Sequence, residues 1–276
     1  MTQICILGCG WLGFPLAQAL VKDGFQIKGS NRTNAKKELL ESVGIMHYAI
    51  QLETESAPNG ILDFLTGSEI LIIAVPPGLS RKNKDFLSED KNVFVKKIQN
   101  LIAFIEQSSI QKIVFISSTS VYADAENNPI LTEDSFLNPA TESGKQLLEI
   151  EDLLMKNKHF KTAVLRFGGL IGQDRNPARF LAGKLNVANP DGAINLIHLD
   201  DCIGIIKAII AKDIWNERFN AVAPYHPTRK EYYSQKALDQ NLVPPAFNLQ
   251  VQSIGKVISS DKLVAKLAYV FSQLKL

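Results

Sequence analysis

The chain has 276 residues, of which 46% are apolar and 21% charged, and a formal net charge of +2. That length buries the core of one large domain, or of a domain with an added lobe. Lysines such as Lys36, Lys37, Lys96 and Lys97 are mixed with acids or set on helix faces, which excludes a nucleic-acid stripe, and every apolar run is far too short to span a bilayer.

In chain order, Ile4–Leu7 is a short apolar run suited to a strand buried on both faces. Gly8-Cys9-Gly10-Trp11-Leu12-Gly13 comes next, and Trp11 to Asp23 reads as a helix stopped by Gly24. Strand, GxGxxG and helix in that order form the phosphate-cradling start of a dinucleotide-binding unit. Gly8 serves the tight turn off the strand, Gly10 lets a pyrophosphate approach the backbone, and Gly13 lets the helix approach the strand. Free amides of the first helical turn, at Trp11 and Leu12, meet the phosphate charge with the helix dipole behind them. Pro15 falls in that turn, where a missing N–H costs little. Cys9 reads as a small residue filling the loop rather than a nucleophile, because no His or acid lies near it in sequence. Cys5, Cys9 and Cys202 show no metal-ligand spacing and imply free thiols in a reducing cytoplasm. The N-terminus leads directly into the first strand, so no signal or transit peptide is expected.

Phe25 to Gly29 is a second strand, ending in Ser30-Asn31-Arg32-Thr33. An acid at this point would bind the ribose 2′-hydroxyl of NAD, and none is present. Asn31 and Arg32 instead suit a 2′-phosphate, which favours NADP with NAD as the alternative. Ala35 to Val43 reads as helix, Ile45 to Leu52 as a third strand, and Glu69 to Val75 as a fourth. Pro76-Pro77-Gly78 then turns the chain over the sheet edge where a cofactor ribose would lie, which brings Ala74, Val75 and Pro76 to the cofactor. Leu79 to Asn92 reads as a surface loop, with a lid as the alternative. Val93 to Gln107 is helical, Lys112 to Ile116 a fifth strand, Thr141 to Lys156 a helix and Ala163 to Phe167 a sixth strand. This alternation predicts a doubly wound parallel α/β sheet with helices on both faces.

Several motifs in the same order resemble the extended NAD(P)-dependent epimerase/dehydratase branch of the short-chain dehydrogenase/reductase superfamily. They are the glycine loop, Ser117-Ser118-Thr119-Ser120-Val121-Tyr122-Ala123 (like SSxxVYG), Lys145 at a helix start, Leu165 to Gly172 (like LRxxxxYG), Asn195 to Asp201 (like IHVxD) and Phe219 to Val222 (like YNV). The resemblance implies a Rossmann fold and places Ser117, Lys145, Phe167 and Gly168 on the cofactor. It also implies that Ser118 hydrogen-bonds the reacting oxygen and that Lys145 holds the nicotinamide ribose. The catalytic Tyr of YxxxK falls on Thr141. A phenol of pKa ≈ 10 can be brought into working range by a neighbouring ammonium, but an aliphatic hydroxyl is too weak an acid. Thr141 can donate a hydrogen bond and is a poor general acid or base. Tyr122 is assigned to packing at the VYG turn. The GxGxxG spacing, where the branch usually has GxxGxxG, marks an atypical member.

Residues 1–172, completed by 195–223, form the expected cofactor domain, and 173–194 with 224–276 form a small substrate lobe. Within it Arg175 and Arg179 would share a face if the segment is helical, and Val257 to Leu274 reads as two short helices. His198, beside Asp200 and Asp201, reads as structural. Two functions stand open: an NAD(P)-dependent oxidoreductase or epimerase acting on a carbonyl/alcohol centre of a small metabolite or sugar, and a cofactor-loaded binding protein or sensor that lost redox chemistry with its Tyr. Neither nucleic acid nor membrane is an expected partner. The helices at 93–107 and 141–156 resemble the pair that often forms a four-helix homodimer interface in the superfamily.

Overall fold

The computed structural model describes residues 2–78, 92–172 and 174–273. The loop-or-lid expectation for 79–92 therefore lies almost wholly outside the described residues, as does the expected lobe start at Gln173.

The chain begins with β1 (Gln3–Leu7), α1 (Gly13–Lys22), β2 (Gln26–Asn31), α2 (Lys37–Glu41), β3 (Ile45–Ala49), α3 (Ile61–Leu65) and β4 (Ile70–Ile73). It continues through α4 (Val93–Ile105), β5 (Lys112–Ser118), β6 (Ala125–Glu126), β7 (Ile130–Leu131), α5 (Glu142–Lys156), β8 (Lys161–Phe167) and β9 (Gly169–Ile171). The last part holds α6 (Ala178–Leu181), β10 (Leu196–His198), α7 (Leu199–Lys212), β11 (Glu217–Ala221), α8 (Arg229–Leu238), β12 (Ile254–Gly255), β13 (Val257–Ile258) and α9 (Asp261–Leu267).

Seven strands pair in the order β11-β8-β5-β4-β1-β2-β3, all parallel. Every strand therefore ends on the same edge of the sheet. The order reverses at β1 and β4, where a crevice opens beyond the carboxyl ends of the strands. Central strands read as unbroken apolar runs because both faces are covered. On one face Leu16 and Leu20 of α1 pack with Ile205 and Ile209 of α7. On the other, Ile98 and Leu101 of α4 pack with Leu147 and Ile150 of α5. The stop of α1 is chemical: Gly24 N–H bonds Val21 O (3.0 Å) and Phe25 N–H bonds Leu20 O (3.1 Å), which closes the helix end.

Short outlying sheets carry the smaller lobe. β9 pairs with β10, while β12 and β13 return from late in the chain to pair with β6 and β7. The C-terminal part differs from expectation. Val257 starts a two-residue strand, and only α9 is helical. Leu263, Leu267 and Phe271 join the core of α1 and α7, so the C-terminal helix closes the large domain rather than the lobe. Asp201, buried in the first turn of α7, anchors the segment after α9. Its carboxylate accepts bonds from Tyr269 OH (3.0 Å), Ser272 N–H (2.8 Å) and Ser272 Oγ (3.0 Å).

Candidate functional site

The glycine loop sits at the carboxyl end of β1. Gly8 adopts φ +104°, a backbone open to glycine, and its N–H bonds Ser30 Oγ at 3.2 Å. Cys9 N–H bonds Ser30 O at 2.7 Å, and Asn31 Nδ2 donates to Cys9 O at 3.0 Å. The end of β2 thus shapes the loop. A Cβ on Gly13 would lie 2.1 Å from Gly8 O, so the helix can start there only without a side chain. A Cβ on Gly10 would meet nothing within 4 Å among the described residues. Gly10 faces open space, while the N–H groups of Trp11 and Leu12 find no partner among the described residues. Such a cradle has room and free donors for a pyrophosphate. The Cys9 thiol is buried, and burial pushes it up to about 12, so it fills the loop as a neutral group.

From Gly10 a cleft of about 630 Å³ runs over the sheet edge. Gly8, Asn31, Arg32, Ala74, Val75 and Pro76 line it as expected from sequence, joined by Ile50, Gln51, Leu52, Pro77, Gly78, Phe94 and Lys97. The strand order explains Ile50 to Leu52: they come directly after β3, next to β2, and so reach the same opening. A neighbouring hollow of about 410 Å³ shares Asn31, Arg32 and Gln51 and adds Thr33, Ala35 and Lys36. The buried Asn31 Oδ1 has no hydrogen-bond partner among the described residues, an acceptor left over at the rim of the cleft. These features fit a dinucleotide.

Ser118 ends β5 and is half-buried; its Oγ accepts a bond from Ser120 N–H at 3.1 Å and caps the turn Thr119–Val121. The first turn of α5 packs directly on that turn, because a Cβ on Gly144 would lie 2.3 Å from Ser120 O. Thr141 and Lys145 flank Gly144 in this turn. Thr141 is the N-cap, its Oγ1 accepting from Gly144 N–H at 3.1 Å. Lys145 is exposed and pairs with Glu142 at 2.8 Å. None of Ser118, Thr141 and Lys145 lines the cleft.

Ser117 turns away from the cofactor side. Its hydroxyl donates to Glu151 at 2.6 Å, within a closed network in which Glu151 holds Arg166 at 2.7 Å and Arg166 donates to Tyr122 OH at 2.7 Å. Tyr122 OH in turn faces Asn220 Oδ1 (2.9 Å) and Thr132 O (3.0 Å). A side chain so placed is saturated, and burial raises the Tyr122 pKa, so the phenol stays protonated and structural. Which face of a strand a side chain takes cannot be assigned from a motif alone, which is why Ser117 differs from the sequence expectation.

No protein-family model matches the chain. Protein YeeZ of Escherichia coli (strain K12) is 34% identical over 275 residues, covering 98% of this chain and 96% of that protein. The chain belongs to the family of Protein YeeZ. Its fold is that of the extended short-chain dehydrogenase/reductases of the epimerase/dehydratase type. UDP-glucuronic acid 4-epimerase from Bacillus cereus, solved with UDP-glucuronic acid and NAD, superposes with a TM-score of 0.78 at 19% identity, covering 98% of this chain and 94% of that one. UDP-glucose 4-epimerase from Thermotoga maritima, solved with UDP-glucose, gives 0.80 at 14% identity over 99% and 94%.

In this YeeZ-family chain Phe167 is buried at the end of β8, and Gly168 N–H bonds Ala221 O at 3.2 Å. Arg175 lies in a turn before α6, while Arg179 lies within that short helix, so the two do not share a helical face. His198 caps α7, accepting from Asp200 N–H at 3.3 Å. Among the described residues no cluster of three or more His, Cys, Asp or Glu could hold a metal ion, and no helix is long and apolar enough to cross a membrane. Sequence reasoning missed Gln51, Lys36 and Lys97; the signal available was their position just after β3, after β2 and on α4, the elements bordering the crevice.

Proposed function

We propose that this YeeZ-family protein binds NADP and acts as an oxidoreductase or epimerase on a carbonyl/alcohol centre of a small metabolite or sugar. The cradle formed by Gly8, Gly10 and Gly13, continuous with the hollow of Arg32 and Lys36, is the observation that carries the reading. Trp11 and Leu12 N–H would hold the pyrophosphate. Asn31 Oδ1, a neutral acceptor, would take a ribose hydroxyl, and two cations with no acid between them favour a 2′-phosphate. A bound nicotinamide supplies hydride exchange. Ser118, at the end of β5 next to β4 and outside the cleft lining, would polarise the reacting oxygen of a bound substrate through its hydroxyl proton while its lone pair caps the turn. Water or a substrate group would carry the proton. The three free, buried thiols accord with a reducing cytoplasm. A homodimer through α4 and α5 belongs to the same proposal, with Ile102, Leu148 and Met155 there only partly covered by the core they pack against.

A second reading has its own observation. The Thr141 hydroxyl is taken up in capping α5 and Lys145 in pairing with Glu142, which favours a cofactor-loaded binding protein without turnover.

The test is a fluorescence titration with NADPH and separately NADH, and then a carbonyl panel. Tighter NADPH binding that falls roughly tenfold in Arg32→Ala, with NADH unaffected, supports the cofactor assignment. Turnover that survives Tyr122→Phe and is lost in Ser118→Ala supports the enzyme; tight binding with no turnover on any carbonyl leaves the binding protein.

A further inference from the structure

Trp11 is the residue of the glycine loop whose side chain reaches out of it. The indole Nε1–H donates to Asp174 Oδ1 at 2.7 Å, across 163 positions of sequence. The Arg175 guanidinium stacks over the ring at 5.2 Å from its centroid. A Cβ on Gly172 would lie 2.9 Å from Trp11 Cζ2, so the ring edge rests on bare backbone there. Gly172 and Arg175 exchange two backbone bonds, N–H to O at 3.2 and 3.1 Å, which close the turn around the indole. Three residues of one turn thus grip a single side chain, and each uses a different property of it: its donor, its π face and its edge.

The turn opens the segment that leads from β9 into the small lobe. The backbone of the same Trp11 offers its N–H in the pyrophosphate cradle. We propose that Trp11 is a positioning residue that latches the 172–175 turn to the phosphate loop, so that dinucleotide binding and the placement of the lobe's first segment are coupled. This rests on the dinucleotide reading of the cradle. The physical basis is pre-organisation: a ring held on three sides fixes the loop backbone before the ligand arrives, and by linkage the bound ligand holds the turn. The contact is a charge-assisted bond at an exposed carboxylate, so it can be removed without disturbing the core.

The experiment uses the full chain as wild type, Asp174→Ala, Asp174→Asn and Trp11→Phe. NADPH binding is titrated by cofactor fluorescence, and trypsin cleavage after Arg175 is timed with and without NADPH. The expected result is a dissociation constant raised about tenfold in Asp174→Ala and Trp11→Phe, with Asp174→Asn, which keeps an acceptor, near wild type. NADPH should slow cleavage in wild type and Asp174→Asn and leave it unchanged in Asp174→Ala. Equal affinity and equal protection in Asp174→Ala overturn the latch while the cofactor reading stands. A wild type that binds neither NADPH nor NADH overturns the cofactor reading, and the coupling with it.

Discussion

At the scale of single residues, the glycines of the loop divide into two kinds that a sequence motif treats alike. Gly13 is constrained by the protein itself, because its missing Cβ makes room for Gly8 O. At Gly10 an added Cβ would meet none of the described residues within 4 Å. Gly13→Ala should therefore cost about 2–3 kcal/mol of stability through overpacking, read as a lower urea midpoint. Gly10→Ala should leave stability within ~0.5 kcal/mol yet weaken NADPH binding roughly tenfold or more. A Gly10→Ala protein that binds as wild type would sink the idea that pyrophosphate lies against Gly10. Tyr122 is a residue where structure answers a question of chemistry. Its phenol is enclosed by Arg166, Asn220 and Thr132, so Tyr122→Phe should cost about 1 kcal/mol and spare cofactor affinity.

At the scale of elements, the helix ends account for residues that would otherwise invite functional readings. Thr141 stands where the family's Tyr is expected and works as the N-cap of α5. Thr141→Ala should lower stability by about 1 kcal/mol and Thr141→Ser should restore it; turnover abolished in a folded Thr141→Ala and kept in Thr141→Ser would instead assign the hydroxyl a chemical role. His226, in the loop leading to α8, is half-buried with its Nδ1 3.4 Å from Ile194 O, and burial lowers its pKa. Its unfolded-state imidazole titrates near 6.5, so below that pH the unfolded chain binds the proton first. Stability is then level above about 6.5 and declines as pH falls from there through the lower folded value. His47, lowered by the same cause, adds in the same direction. Denaturant midpoints measured from about pH 7.5 to about pH 5 should show this fall, and His226→Gln should flatten part of it.

At the scale of the molecule, two buried carboxylates tie distant parts together. Glu151 of α5 pairs with Arg166 of β8, both with fully buried side chains, and the network extends to β5 through Ser117 and to β11 through Asn220. Removing one partner leaves the other as an uncompensated buried charge, so Glu151→Ala should cost roughly 3–5 kcal/mol, against the small loss expected for Tyr122→Phe. Calorimetry of the two variants checks the ranking. Asp201 does the corresponding work for the C-terminal segment, where Tyr269 and Ser272 converge on it.

The sequence by itself determined the parts of this protein that depend on local chemistry and periodicity. The run Ile4–Leu7 with its glycine loop, the alternation of strands and helices, and Asn31-Arg32 at the end of β2 are legible because a buried strand, a tight turn and a missing acid each leave a mark within a few residues. The crevice between β1 and β4 comes from the parallel order those marks imply. Tertiary structure alone decided which side chains face that crevice. Ser117 and Ser118 are neighbours in one motif, yet one enters the Glu151 network and the other caps a turn, because successive strand residues point to opposite faces. Lys36 and Gln51 reach one hollow, and Trp11 meets Asp174, across distances in sequence that no local pattern encodes. Where β13 and α9 settled was likewise a matter of which exposed edge and which apolar face stood open once the sheet had formed.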